Sequence, residues 1–317
     1  MKIRDIYSLA VNLGMSRDPR GKEAVEAVLA REREKYEGLK DDEKSEYDQE
    51  RLANPYADTR ILYGDPERDV KRVLTGVDME AAEMLLADRL CEKGVKIDLV
   101  IAHHPEGSAM AALYDVMHLQ EEVLARFGVP INVAEGIMAS RISEVKRGIM
   151  PLNHFRAVDT ARLLDIPLMC AHTAADNLVT DYLQKLFDER KPKRLSDVVK
   201  LLKELPEYKT AAIQGAGPTI VVGDKDRRAG KIFVDMTGGT SGSQDAYAKL
   251  AIAGVGTMVG MHIKEDHRKE AEKNNINVVI AGHMASDSLG MNLFLDELAG
   301  HGVEIIPSSG LIRVARA

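Results

Sequence analysis

Short apolar runs alternate with amphipathic stretches along most of the chain, and this alternation predicts an α/β protein. The run D-L-V-I-A-H-H-P at residues 98–105 is almost continuously apolar up to its histidines, as in a parallel strand covered on both faces. The preceding stretch, residues 79–94, has helical apolar spacing and ends at Gly94, a residue typical of helix C-caps. Because such strand–helix units recur, we predict a layered α/β/α fold with mostly parallel strands, in two similar α/β halves joined through a small β-rich middle segment.

The same pattern divides the chain into four segments. We predict a helical N-terminal extension at residues 1–70, a first α/β lobe at 71–190, a connector and β-rich segment at 191–240, and a second α/β lobe at 241–317 that completes the functional site.

Three local assignments are less regular. Residues 19–53 are dense in charged side chains and predict exposed helix with a break at Gly38; an interaction arm is the alternative. The short runs P-I-N-V-A-E at 130–135 and A-A-I-Q-G at 211–215 are interpreted as strands.

Composition narrows the classes of function. The chain has 43 basic and 50 acidic residues and a net charge of −7, which argues against nucleic acid as a partner because phosphate binding needs clustered positive charge. No apolar run reaches membrane-spanning length, and the N-terminus has no signal-peptide pattern. Cys91 and Cys170 lie far apart, as expected in a reducing cytoplasm. We therefore expect a cytoplasmic protein that acts on a small molecule.

Three apolar runs end in the same way, and together they predict a metal site. They read V-I-A-H-H-P, M-C-A-H-T-A-A-D and I-A-G-H-M-A-S-D, and they end at residues 105, 176 and 287. The carboxyl ends of strands gather binding residues in α/β sheets, and the spacing H-x-x-x-D places both side chains on one helical face. Imidazole nitrogen and carboxylate oxygen are ligands for zinc, iron or manganese. The side chains offered are those of His103, His104, His172, Asp176, His283 and Asp287.

A single histidine at a strand end is usually an ordinary polar residue, so the repetition carries the argument. The other five histidines do not follow this repeated pattern and are interpreted as ordinary surface or core residues; they are His118, His154, His262, His267 and His301. Of these, His262 ends the apolar run G-T-M-V-G-M-H and is the exception to check.

A glycine-rich turn, G-G-T-S-G-S at 238–243, is a candidate for anion binding. Free backbone N–H groups at Gly238, Gly239 and Ser241 could hold a phosphate. The turn is not a P-loop, because no lysine stands in the required place. The alternative is a tight turn between a strand and a helix.

The motifs resemble a known family, the dinuclear metal-centre proteins called GTP cyclohydrolase type 2 homologues or NGG-interacting-factor-three-like proteins. The resemblance rests on T-G-V-D at 75–78, D-L-V-I-A-H-H-P at 98–105, A-H-T-A-A-D at 171–176 and A-G-H-M-A-S-D at 281–287. It runs from about residue 70 to the C-terminus. The chain departs from it at Asp287, where many bacterial members have glutamate, and in its longer N-terminal segment.

The resemblance implies roles for individual residues. Metal binding falls on five of them: His103, His104, Asp176, His283 and Asp287. His172 becomes a catalytic candidate or a residue next to the ligands. The resemblance also implies two divalent metal ions, and a ring-shaped homo-oligomer with its sites facing an internal cavity.

Two metal ions can share a carboxylate and lower the pKa of a bound water toward neutrality. We therefore expect a metal-dependent hydrolase that acts on a nucleotide or another phosphate-bearing small molecule, GTP cyclohydrolase-like by resemblance. The alternatives are a metal carrier or chaperone, and a regulatory interaction protein without turnover.

Overall fold

The computed structural model describes residues 1–316 and shows a mixed α/β architecture. The strands are β1 (Thr59–Tyr63), β2 (Arg72–Gly76), β3 (Leu99–Ala102), β4 (Leu168–Ala171), β5 (Thr219–Val222), β6 (Lys231–Asp235), β7 (Val255–Gly260), β8 (Asn277–Ile280) and β9 (Glu304–Pro307).

Helices account for most of the remaining ordered elements. They are α1 (Ile3–Ser16), α2 (Lys22–Gly38), α3 (Asp41–Glu46), α4 (Ala81–Glu92), α5 (Gly107–Ala111), α6 (His118–Arg126), α7 (Ile131–Ile149), α8 (Arg156–Leu164), α9 (Thr173–Arg190), α10 (Leu195–Glu204), α11 (Pro206–Ile213), α12 (Ala246–Ile252), α13 (Glu265–Lys273) and α14 (His283–Gly300). Short 3-10 helices span Gln49–Leu52 and Leu113–Met117.

The strands form two sheets of similar construction. The first has the order β1-β4-β3-β2-β9 and the second the order β5-β8-β7-β6. In each sheet one edge strand, β1 or β5, is antiparallel, and the other neighbouring strands run parallel. The predicted fold of two similar, mostly parallel α/β halves is therefore confirmed.

Both faces of the first sheet are covered. Leu99 and Ile101 of β3 pack with α1, α9 and α14, whereas Val100 and Ala102 pack with α4 and α8. Successive residues of a strand point to opposite faces, so a strand buried on both sides has no polar alternation. This explains the continuous apolar run that precedes the paired histidines.

Helices α9 and α14 form a central layer between the sheets. In the second sheet, Val259 and Val279 pack with these two helices, α10 and α11, while the opposite face packs with α6, α7 and α12. Helix α14 buries Leu289 with the second sheet and Met291 with the first. The two α/β/α layer sets therefore share one helical layer.

Two short assignments from the sequence are wrong. Residues 130–135 open α7, which buries Ala134 and Met138 at helical spacing and follows Pro130. Residues 211–215 close α11, a helix that begins at Pro206. In both cases the short window held too few positions to separate period 2 from period 3.6, and packing over the whole helix decided the outcome.

The structure also shows how the predicted segments connect. Strand β1 lies in the predicted N-terminal extension yet pairs with β4, and β9 near the C-terminus pairs with β2. Helix α2 ends at Gly38, where a break was predicted. The four-segment division itself stays a prediction.

Gly290 sets the distance between the two central helices. A Cβ atom at this position of α14 would lie 2.4 Å from the carbonyl oxygen of Ala175 in α9. Real Cβ atoms do not approach backbone oxygen so closely, so the helices contact each other closely only because residue 290 has no side chain. Asp176 lies next to Ala175, and Asp287 lies about one helical turn before Gly290.

We predict that Gly290→Ala destabilises the protein by about 1–3 kcal/mol, because the helices must separate to admit the methyl group. The matched control is Gly136→Ala in α7, where a Cβ would meet nothing within 4 Å. That change should raise stability by about 0.5–1 kcal/mol through helix propensity. Urea unfolding of both variants is the measurement, and equal effects would contradict the close-contact interpretation.

Candidate metal centre

Six side chains from the three predicted strand ends meet at one place between the sheets. The Nε2 atom of His103 lies 3.5 Å from Asp176 Oδ1 and 3.6 Å from Asp287 Oδ1. Nε2 of His104 lies 3.6 Å from Asp287 Oδ2, and Nε2 of His283 lies 3.5 Å from the same oxygen.

His172 approaches the cluster from its other side. Its Nε2 atom lies 3.8 Å from Asp176 Oδ2, and its ring centroid lies 5.0 Å from that of His103. The structure thus brings all six sequence-predicted side chains together.

Three of the four imidazoles are oriented by a hydrogen bond at Nδ1. His103 Nδ1 lies 3.1 Å from the Ala171 carbonyl oxygen, His104 Nδ1 lies 2.7 Å from Asp78 Oδ1, and His172 Nδ1 lies 2.8 Å from Asp58 Oδ2. A carbonyl or ionised carboxylate can only accept, so Nδ1 carries the proton and Nε2 is left facing the cluster. This orientation is usual for histidines that bind metals.

The carboxylates at the centre lack hydrogen-bond partners. Within residues 1–316, Asp176 Oδ1 and both carboxyl oxygens of Asp287 are buried and accept no hydrogen bond. Burying such groups without a partner is costly, and buried charges are normally paired or bound to metal. The donor set and the orphaned oxygens therefore fit a divalent cation.

The pKa values of the two carboxyl groups are shifted in opposite directions. Burial, together with the charges of Asp287 and Asp58, raises the pKa of Asp176 well above its usual value. Burial opposes ionisation of Asp287 too, but His103, His283 and His104 together outweigh burial and lower the pKa of Asp287. The pKa of His103 is raised: burial acts against its charge, but Asp287 and then Asp176 act more strongly. Without metal, these shifts favour the protonated forms of Asp176 and His103.

The ligand atoms fall into overlapping groups of three, each within 4.8 Å. One group is His103, Asp176 and Asp287, and another is His104, His283 and Asp287. A third consists of the imidazoles of His103, His104 and His172. Asp287 belongs to two groups, so its two oxygens face different sets of ligands. Its Oδ1 lies near His103, and its Oδ2 lies near His104 and His283.

A cavity of about 700 Å³, counted to its open mouth, lies beside the cluster. Gly239 and Ser241 of the glycine-rich turn line it, as do His172 and His283. Gly238 faces the Gln120 side chain instead: a Cβ there would lie 2.7 Å from Gln120 Cγ.

Four residues near the cluster were not assigned to it from the sequence. Asp58 and Asp78 orient histidines; Asp78 ends the T-G-V-D motif after β2, whereas Asp58 precedes β1 without any pattern that marks it. His262 and His267, interpreted above as ordinary, both line the cavity, and the His262 ring lies 5.0 Å from that of His283. For these two histidines, the only signal in the sequence was the position of His262 at the end of an apolar run.

Comparison with solved structures places this architecture among known folds. It is similar to a NIF3 superfamily protein from Sphaerobacter thermophilus, with a TM-score of 0.71 and 29% identity over 80% of this chain and 92% of that chain. Reduced HcgD from Methanocaldococcus jannaschii gives a TM-score of 0.50 and 17% identity over 78% of this chain and 87% of its own. A Bacillus cereus protein related to NIF3 gives a TM-score of 0.41 and 13% identity, covering 79% and 91%.

The Sphaerobacter thermophilus protein belongs by name to the NIF3 superfamily, the group that the sequence motifs resemble. No family model matches the sequence. No curated protein matches it either. Among residues 1–316, no helix has both the length and the apolar character needed to cross a membrane.

We predict that Asp78→Ala weakens zinc binding about 10-fold or more, because His104 loses the partner that orients it. The Asp78 side chain is 52% exposed, so the free energy of unfolding of the metal-free protein should change by less than about 0.5 kcal/mol. Competition with a chromophoric chelator measures the affinity. The exposed Asp226→Ala variant is the control, and equal affinities in the two variants would contradict a role for Asp78.

Metal uptake near neutral pH should release about one to two protons per cluster, because the raised pKa values of Asp176 and His103 leave protons where metal binds. The apparent affinity should therefore rise with pH. Calorimetric titration in buffers of different ionisation enthalpy counts the protons. Asp176→Asn should release fewer, and a count of zero in the unmodified protein would show that the cluster is already deprotonated.

Proposed function

We propose that the chain is a dinuclear metal-dependent hydrolase that acts on a nucleotide or another small phosphate-bearing molecule. The observation that carries the proposal is the set of orphaned carboxylate oxygens on Asp176 and Asp287, surrounded by oriented imidazoles beside a cavity. Two divalent ions (Zn, Fe or Mn), when bound, would activate water and polarise the substrate. The metal-binding residues in this proposal are His103, His104, Asp176, His283 and Asp287.

His172 is proposed to assist the reaction. His172 Nδ1–H donates to Asp58 Oδ2 at 2.8 Å, and the Thr173 hydroxyl donates to the same oxygen at 2.6 Å, so the ring is fixed in one tautomer. Its Nε2 is then free to accept a proton at the border between cluster and cavity. Asp58 and Thr173 act here as positioning residues.

The glycine-rich turn is proposed to hold the phosphate. Gln120 Nε2 donates to the carbonyls of Gly238 and Thr240 at 2.6 and 2.7 Å, and Arg141 Nε donates to that of Ser241 at 2.9 Å. These contacts hold the turn in place, and within residues 1–316 the backbone N–H groups of Gly239 and Ser241 donate to no acceptor, so they remain for an anion. Gly239 itself is a poor probe: its φ is +85°, and a Cβ would lie 2.9 Å from Val116 Cγ2.

A metal carrier is the second candidate, and one observation favours it. The His283 side chain is 39% exposed, whereas Asp176 and Asp287 are buried. A ligand at the surface gives an ion a route in and out of the cluster. A regulatory interaction role is the remaining alternative.

The cellular setting and assembly are also proposals. The two cysteines are free, which suits a reducing cytoplasm. A ring-shaped homo-oligomer is consistent with four exposed apolar side chains around α8, namely Met150, Leu152, Phe155 and Leu163.

The test of the hydrolase is turnover by metal-loaded protein on nucleotides, phosphodiesters and phosphomonoesters. We expect release of product with at least one class, and a loss of about 100-fold or more in kcat/KM for Asp287→Asn, which removes a charge shared by two ligand groups. Asp226→Asn, an exposed change of the same chemistry, should retain full activity.

Rapid exchange of bound zinc without turnover of any substrate would favour the carrier instead. Full activity in the Asp287→Asn variant would place the reaction outside this cluster.

A further inference from the structure

The cavity beside the metal centre continues into an apolar recess. The recess lies between the second sheet and α6, α7 and α12, and its walls include Leu124, Met138 and Phe233. Asp235, Tyr247 and His267 line both spaces and mark the passage between them. A ligand that reaches from the cluster into the recess must pass these three polar side chains.

Asp235 has no hydrogen-bond donor within the described chain. It ends β6, at the carboxyl edge of the second sheet where α/β proteins bind ligands. No side-chain hydrogen bond or ion pair forms at its carboxyl group within residues 1–316, and burial raises its pKa to about 6. The residue is half-buried, and no donor of the described chain offsets the cost of its charge.

Tyr247 adds a second unpartnered polar group at the same place. Its side chain is 3% exposed, and its hydroxyl forms no hydrogen bond to the described residues. The hydroxyl is therefore available to a ligand in the cavity. The His267 ring packs edge-on against Tyr247 at 5.7 Å between centroids, and burial, followed by Arg141, lowers the pKa of His267 so that it is neutral at pH 7.

The charge of this passage is therefore negative. Among the described residues, no lysine or arginine lines either the cavity or the recess. The nearby Arg141 is engaged with the Ser241 carbonyl and with Glu144. An anionic group would be repelled by Asp235, whereas a group with N–H donors would supply its missing hydrogen bonds.

We infer that Asp235 and Tyr247 form a subsite for a planar apolar group that carries a cationic, N–H-donating head, such as an aryl amidine or a ring with an amidine-like edge. The head pairs with Asp235 and reaches the Tyr247 hydroxyl, and the ring enters the apolar recess. This subsite adds a ligand class to the proposed function. Only the statement that the ligand is a substrate rests on the hydrolase proposal. Recognition itself requires no turnover.

The test is binding of three matched probes to zinc-loaded and to metal-free protein. Benzamidine carries the cationic head, benzamide is its neutral counterpart, and benzoate is anionic. We expect saturable binding of benzamidine, about 10-fold or more tighter than benzamide, and no binding of benzoate at Asp235. Isothermal titration and ligand-detected NMR measure the affinities.

Variants connect the binding to the subsite. Asp235→Asn keeps the shape of the side chain and should weaken benzamidine about 10- to 100-fold, and Tyr247→Phe should weaken it less. Asp226→Asn, an exposed change of the same kind, should bind like the unmodified protein. Circular dichroism and thermal unfolding establish that each variant is folded.

Absence of saturable benzamidine binding would overturn the inference, as would equal binding by folded Asp235→Asn or preference for benzoate. The result is independent of the hydrolase proposal. If the protein binds benzamidine through Asp235 but hydrolyses nothing, the subsite is supported and only the hydrolase proposal is contradicted. Protein that hydrolyses phosphoesters but ignores benzamidine loses only the subsite.

Discussion

The close contact between α9 and α14 is the constraint on which the rest of the structure depends. These helices form the layer that both sheets share, so each buries side chains toward the first and the second sheet. Each begins at or next to a histidine that follows a strand, and each carries an aspartate near its N-terminus: His172 and Asp176 for α9, His283 and Asp287 for α14. Gly290 lets the helix backbones approach until Asp176 and Asp287 face the same imidazole, that of His103. Fold and candidate site therefore share one set of contacts.

This packing has an electrostatic cost. It places the carboxyl groups of Asp176 and Asp287 in a buried site. Histidines surround Asp287, but both of its oxygens and Oδ1 of Asp176 accept no hydrogen bond. Proteins rarely leave such groups uncompensated, since desolvation of an ionised carboxylate costs several kcal/mol. A proton on Asp176 relieves part of the repulsion, and a divalent cation would relieve all of it. The same competition between protons and metal connects stability, metal binding and pH in this fold.

The cavity next to the cluster has two chemically different sides. On one side, carbonyls of the glycine-rich turn accept hydrogen bonds from Gln120 and Arg141, and we propose that its backbone N–H groups bind an anion. On the other side, Asp235 and Tyr247 are acidic or neutral and lead into an apolar recess. A molecule that carries a phosphate and a nitrogen-rich ring would satisfy both sides at once. This asymmetry, rather than the size of the cavity, would provide selectivity.

The sequence by itself determined the fold class and the six side chains that meet at the candidate site. Both are expressed locally, because buried parallel strands read as continuous apolar runs and the three strand ends repeat one pattern. It did not identify the start of α7 or the end of α11 as helical, since windows of five or six residues are compatible with both the strand period of 2 and the helix period of 3.6. Tertiary structure alone decided that Asp58 and Asp78 orient His172 and His104, and that Asp235 and His267 line the cavity. These residues act across long sequence separations, where no spacing rule applies. Only the packed helices and sheets determine which side chains meet.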